Sequence, residues 1–380
     1  MKSPPFSSAD QAPSAPTVSI TNTPTTTDDA EWDHLIAASP CGNVFLRSDW
    51  LRMLCETSSD TLRILRLTAR DGQGRLRGGW AIPYREQGGC RFSHGFDFFY
   101  CGPLLAPDLI APTVHRISER QHLLRELADA AASATDVVVA EAHPRFQDAR
   151  AFLYQGWQVA PEYTHLWDLR DPEAILRTMN REKRREIRRA QERLNLARED
   201  ADDRTLGSFI TLYRATMSRF SWYPTPRWET VLRQRITWMR ARERCRLYAA
   251  RTKQGELLAA VLVLLSHEDE TAYLWRMGND PAAREAGAIP ALYWHAALDV
   301  GGPAAPVRFV NFGGSPQPPL GQFKDYLGAT PTLHFRLIHR RESARLRLWQ
   351  WREAARDRAR RLLGGNPALI QLYRRLAGPT

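Results

Sequence analysis

Between Val307 and Ile338 the chain reads VRFVNFGGSPQPPLGQFKDYLGATPTLHFRLI. An apolar strand runs into Gly313-Gly314, a proline-rich loop follows, and Lys324 then stands between Phe323 and Tyr326. Lysine is scarce in this sequence, because nearly all the positive charge is arginine. Arginine keeps its proton at any ordinary pH, whereas a lysine ammonium is a compact cation whose pKa moves readily on desolvation. A lysine among aromatics after a Gly-Gly turn suits a group that faces a reacting carbonyl; the alternative is a surface lysine in a loop. Asp325 and Tyr326 adjoin it, but neighbouring side chains need not share a direction, so no general base is identified. No His/Asp/Glu spacing makes a zinc site, and His267-Glu268-Asp269-Glu270 reads as a polar turn. No metal is expected.

These residues need a scaffold, and the sequence repeats one. Ala69–Leu76 (ARDGQGRL) aligns with Ala250–Leu257 (ARTKQGEL), 181 residues later. Each copy follows a short apolar strand and precedes a small-residue pair, Gly78-Gly79 or Ala259-Ala260, so each reads as a hairpin with glycine in the turn. Downstream, both copies continue into a helix (Ser118–Ser133; Ala288–Val300) and an apolar strand (Asp136–Glu141; Val307–Phe312). Two related α/β domains with mixed sheets follow, at 30–170 and 200–340.

Between them, at 171–199, lies a basic linking helix. Ile175, Met179, Ile187, Ala190 and Leu194 recur at near-helical spacing among many arginines. It is either a solvated helix packed by one face or a groove wall that attracts phosphates. The tail, 341–380, reads as a basic amphipathic helix with an apolar stripe of Leu348, Trp351, Ala355, Ala359 and Leu362. It suits an anionic membrane surface or docking on the protein's own body. From Arg340 to Thr380 there are eleven arginines against three acids, net +8 of the chain's +11. The basicity is therefore mainly one appendage, which weakens the case for a dedicated DNA-binding domain. Residues 1–29, rich in Pro, Ser and Thr, read as disordered. Five scattered cysteines, the lack of a signal-type apolar segment and a longest apolar run of Leu257–Leu265 point to a cytoplasmic protein, peripheral to a membrane at most.

Several segments resemble one family. Glu31-Trp32, Phe45-Leu46-Arg47-Ser48-Asp49-Trp50, Ala151–Trp157, Tyr163-Thr164-His165, the Arg184–Ala190 helix, Leu212–Arg219 and Phe312-Gly313-Gly314 to Phe323-Lys324 occur in the order found in FemAB-type aminoacyltransferases. They are similar also to acetyltransferase-like proteins linked to cellulose and exopolysaccharide production. The resemblance spans roughly residues 31–338. It implies two GNAT-like domains in tandem and acyl or aminoacyl transfer to an amine or hydroxyl of an envelope or polysaccharide precursor. The co-substrate is then acyl-CoA or aminoacyl-tRNA, with no tightly bound cofactor. The resemblance places Lys324 where it would stabilise the oxyanion, makes Gly313 and Gly314 substrate-binding residues, and gives Arg219 and Tyr223 to the acceptor. Arg52 stands where the family has a lysine, which leaves the acceptor open. Arg284-Glu285-Ala286-Gly287-Ala288-Ile289 approximates a pyrophosphate loop, with Arg284, Gly287 and Ala288 as its binding residues and Ile289 breaking the pattern. The competing class is a non-catalytic binding protein recruited to anionic membrane or RNA, tRNA included, by its arginine helices.

Overall fold

In the computed structural model, both copies of the repeated hairpin close with the same bonds. Asp71 N donates to Arg75 O (3.0 Å) and Gly74 N to Asp71 O (2.9 Å); 181 residues on, Thr252 N donates to Glu256 O (2.9 Å) and Gly255 N to Thr252 O (3.0 Å). Gly74 and Gly255 both take positive φ, 77° and 93°, which explains the shared glycine. The structure describes residues 17–21, 26–58, 62–93, 98–111, 113–200, 202–220, 222, 225–302, 307–315 and 317–362.

In chain order the first half holds β1 (Thr17–Thr21), α1 (Thr26–Ala38), α2 (Ser48–Thr57), β2 (Leu62–Arg70), β3 (Leu76–Gln87), β4 (Cys90–Ser93) and β5 (Leu104–Leu105). It continues through α3 (Pro107–Ile110), α4 (Val114–Ala134), β6 (Val137–Glu141), α5 (Arg150–Tyr154) and β7 (Gln158–Asp168). The second half holds α6 (Pro172–Thr178), α7 (Arg181–Arg193), β8 (Asn195–Glu199), α8 (Asp203–Ser218), α9 (Pro226–Arg240) and β9 (Cys245–Arg251). Then come β10 (Leu257–Ser266), β11 (Thr271–Asn279), α10 (Ala288–Val300), β12 (Phe309–Gly314), α11 (Pro318–Tyr326), β13 (Thr330–Arg340) and α12 (Ala344–Leu362).

All strands join one sheet, in the order β1-β2-β3-β4-β6-β13-β7-β12-β11-β10-β9-β8, with β5 beside β3. The order is palindromic in kind. Each half lays down a meander, makes one parallel pair (β4 with β6; β11 with β12), and sends its last strand across to the other half. β13 pairs with β6, β7 pairs with β12, and β7 and β13 pair antiparallel along nine residues, Thr330↔Leu166 to Ile338↔Gln158. This is the mixed α/β fold of two tandem units expected from the repeat.

Three apolar clusters hold the layers. One lies under α1, α4 and α5, a second under α6, α7 and α10. The third carries Phe45 and Trp50 of the first half against Phe209, Ile236 and Tyr273 of the second. β10 alternates between the last two, Val261 and Val263 on one face, Leu262 and Leu264 on the other, so it is buried on both sides.

Several local expectations change. Residues 17–21 form an edge strand on β2, and α1 starts at Thr26, so the described part of the segment read as disordered carries regular structure. The linking helix is two helices. Met179 is extended (ψ 140°), and Asn180 caps α7 by accepting from Glu182 N at 2.8 Å. Its last residues form β8, and all five apolar positions are buried as expected. The tail helix docks through Leu346 and Trp349 against Phe92, while Leu348 and Trp351 of the expected stripe are exposed. Among the described residues no helix is long and apolar enough to cross a membrane.

Truncation after Gly328 removes β13, the strand that bridges β6 and β7. We expect no cooperative unfolding transition by circular dichroism for that chain. Truncation after Glu342 keeps β13, and a transition lowered by about 5 °C is expected.

Candidate active site

β11 and β12 pair only from Thr271↔Phe309 to Tyr273↔Asn311 and then part. β11 goes on to Asn279 beside β10, while β12 goes on to Gly314 beside β7. Both strand ends therefore emerge at the same edge of the sheet. Asn311 fixes the second arm: it accepts from Thr164 Oγ1 (2.7 Å) and Gly313 N (2.8 Å) and donates to Tyr100 Oη (2.9 Å). Gly313 takes φ 72° and lies against Phe99, where a β-carbon would come within 3.2 Å of the ring. The left-handed conformation and the close ring both favour glycine.

α11 begins with Pro318-Pro319 and brings Lys324 back under this turn. Lys324 is 4% exposed, and its Nζ donates to Gly313 O (2.7 Å) and Gly314 O (2.8 Å). Burial pushes the ammonium down from its ordinary 10.5 to about 8. Both glycine carbonyls are thus bonded to Lys324. Lys324 lies behind the wall of the adjoining groove, which Tyr163, His165, Ser315, Gln322 and Asp325 line around a space of about 760 Å³.

On that wall three side chains meet that the sequence did not bring together. His165, on β7 and 5% exposed, has Nδ1 3.3 Å from Ser315 Oγ and Nε2 3.2 Å from Asp325 Oδ1. Burial lowers the pKa of His165, the Lys324 charge lowers it further, and Asp325 opposes both. The ring is therefore neutral at neutral pH, with a lone pair free to accept a proton. In sequence these residues are 150 and 160 positions apart. The available signals were that Ser315 directly follows the Gly-Gly turn and that Tyr163-Thr164-His165 recurs in the family series.

The other expected site residues are scattered. Arg219 caps the end of α8, exposed, and its guanidinium donates to Asn279 O (2.9 Å) and Oδ1 (3.1 Å) at the tip of β11. It thus stands on the opposite arm of the opening from Gly314. Tyr223 lies outside the described residues. Gly287, φ 64°, begins α10 as the loop pattern requires, and Arg284 is exposed. However, α7 covers this loop. A β-carbon on Gly287 would meet Glu186 Cγ at 2.6 Å, and Ala288 is wholly buried. Glu186 is itself paired with Lys183 (2.5 Å), so what stands against a pyrophosphate there is the cover by α7. In the first half, Arg52, Arg63, Arg66 and Arg91 line a second space of about 570 Å³ with Asp29 and Glu86. Asp29 accepts from Arg52 (2.6 Å) and from buried Arg66 (2.7 Å). Among the described residues no three metal-type side chains cluster.

A family model for the acetyltransferase (GNAT) domain matches residues 177–324, from α6 to Lys324 itself. No curated protein matches the chain in sequence. Among solved structures it is similar to FemX, at 11% identity and TM-score 0.61, over 88% of this chain and 99% of that one. It is similar also to a tandem GNAT protein from the clavulanic acid biosynthesis pathway, at 14% identity and TM-score 0.52, over 85% and 98%. A protein of unknown function from Bacteroides thetaiotaomicron follows at 12% and 0.51, over 85% and 99%. At these identities the likeness is one of fold: a tandem GNAT fold, matched over nearly the whole of each relative.

The buried ammonium gives a stability prediction. The drop from 10.5 to about 8 corresponds to about 3 kcal/mol against the charged form. Two bonds from a charged donor return about 1.5–3 kcal/mol each. Lys324→Met removes both effects, so its Tm at pH 7 is expected within about 3 °C of wild type. Between pH 8 and 10.5 the unfolded chain holds the proton that the folded one has lost, so this lysine adds stability as pH rises. A pH series of thermal melts should show that rise in wild type and a shallower one in Lys324→Met.

Proposed function

We propose that this tandem GNAT-fold chain is an acyltransferase, moving an acyl group from an activated donor to an amine or hydroxyl of an anionic cell-envelope or exopolysaccharide precursor. The observation that carries this reading is the parting of β11 and β12, inside the matched domain, beside a groove with a neutral histidine. Where two strands separate, an extended, amide-bearing arm can add to their facing edges as a further strand would. Acyl-CoA has such an arm and is the donor proposed first. The packing of α7 over the Gly287 loop argues for a pyrophosphate held elsewhere than at Arg284, Gly287 and Ala288.

Acyl transfer requires the reactants held in line, charge stabilised on the carbonyl oxygen, and an acceptor for the proton. Lys324 is assigned the second task. Its charge lies in low dielectric behind the turn, and it also holds that turn in place. The four arginines of the first-half pocket, three of them paired with Asp29 or Glu86, suit an acceptor that carries phosphate, with Arg52 in the lysine's place; Arg219 is given to the acceptor by the resemblance alone. A cytoplasmic site of action, on such a precursor, is part of this proposal.

One observation favours a second reading. Arg181, Arg185, Arg188 and Arg189 line a groove of about 680 Å³ along α7 with Glu182 the acid among them. That face suits a polyanion, and a binding protein for RNA or anionic membrane would need no groove chemistry.

The test is release of free thiol from short acyl-CoAs by the purified full chain, with nucleotide-linked sugar precursors as acceptors. Acceptor-dependent release is expected. Lys324→Met should lower kcat about 10²-fold, and Arg52→Ala should raise KM for phosphate-bearing acceptors with kcat kept. A folded protein that releases no thiol, and transfers nothing from aminoacyl-tRNA, yet binds RNA or anionic vesicles through α7, would replace the first reading with the second.

A further inference from the structure

The groove wall does more than offer a base. Both nitrogens of His165 are engaged, Nε2 with Asp325 and Nδ1 with Ser315. Asp325, a carboxylate, only accepts, so the ring proton sits on Nε2 and Nδ1 presents its lone pair to the Ser315 hydroxyl. No ring nitrogen is left to meet a substrate directly. The proton that His165 is placed to take is that of Ser315. Nucleophile, base and orienting carboxylate in series are the arrangement by which weak hydroxyl nucleophiles are activated.

The backbone supports the same assignment. Ser315 sits where strand β12 ends and three residues before helix α11 starts, after a glycine at φ 72°. A nucleophile on a tight strand-to-helix turn is carried clear of the sheet and into the adjoining space. Here that turn is held from below by the two bonds of Lys324 to Gly313 and Gly314. Ser315 and His165 both line the 760 Å³ groove.

We propose that Ser315 is a covalent nucleophile and that transfer proceeds through an acyl-Ser315 ester, with His165 as base and Asp325 as its positioning residue. Ser315 Oγ forms a bond to the acyl carbon as its proton passes to His165 Nδ1. The bond to the donor's leaving sulfur or oxygen breaks, and the leaving group takes that proton from the imidazolium. The acceptor amine or hydroxyl then attacks the ester and gives a proton to His165. Ser315 Oγ departs with the electron pair and is reprotonated by the imidazolium. The step rests on the acyltransfer reading for its physiological donor and acceptor, but not for its detection.

The probe is p-nitrophenyl acetate, an activated ester that needs no knowledge of either substrate. With the full chain, a burst of about one p-nitrophenol per protein is expected, with the acetyl group mapped by peptide mass to Ser315. Ser315→Ala, altering a partly exposed hydroxyl, should abolish burst and adduct with its melting curve unchanged. His165→Ala should slow the burst about 10²-fold, and added imidazole should restore part of the rate, which a merely structural histidine would not allow. Asp325→Asn should slow the burst while leaving its amplitude. Absence of a burst, an adduct mapped elsewhere, or full burst in Ser315→Ala overturns the proposal. Acceptor-dependent thiol release that persists in Ser315→Ala overturns it too while leaving the acyltransferase reading intact. A Ser315 adduct in a chain that transfers to no acceptor would sink that reading and leave the nucleophile standing.

Discussion

The antiparallel pairing of β7 with β13 governs the rest of this molecule. Each strand is the last of its half, and each completes the sheet begun by the other. A sheet edge left at β6 or β12 would expose a row of unpaired backbone groups; the exchange covers both at once. It also sets the site. The register puts His165 opposite Pro331, five residues after α11 ends, so the helix that carries Lys324 and Asp325 must lie along the strand that carries His165. A contact 160 residues long in sequence becomes a local consequence of strand register.

Within that frame a single ammonium organises the turn. A lysine this deeply buried is tolerated only with its protons bonded, and the carbonyls within reach are those of Gly313 and Gly314. The same bonds that reduce the cost of burial therefore hold the turn that presents Ser315. The charge has a second effect through space: it disfavours an imidazolium at His165, and Asp325 only partly offsets this. Turn geometry and the protonation state of the base thus share one cause.

What the sequence made legible was local, or repeated. The two hairpins, α10, and the buried positions of α6 and α7 all follow from spacing and from glycine in a turn. The exchange of last strands was not legible, because nothing in the sequence of β7 or β13 names its partner. The break at Met179-Asn180 was missed because the apolar period runs through it; what decides it is the Asn180 cap, with Asn180 N bonded to Tyr326 O of α11 (2.9 Å). Lys324 stood out by type and neighbours, but its direction did not, and the side chains that face the groove are those of His165, Ser315 and Asp325. The Gly287 loop was recognisable as a pattern, whereas Glu186 against it belongs to a helix a hundred residues away.

The turns that end β6 and β12 have different surroundings. In the first half the turn after β6 is closed by packing. Gly102 comes so near that a β-carbon there would lie 2.7 Å from Ala142 Cα, and His143 is buried against Asp269 at 3.3 Å. Asp269 also accepts from Tyr273 Oη at 2.5 Å, so this turn is tied to the β10–β11 corner of the other half. In the second half β12 itself ends in Gly313-Gly314, and the polar neighbours of that turn face an open space. Both histidine–aspartate pairs cross between the halves: His143 with Asp269 ties the first turn down, and His165 with Asp325 stands at the wall of a groove.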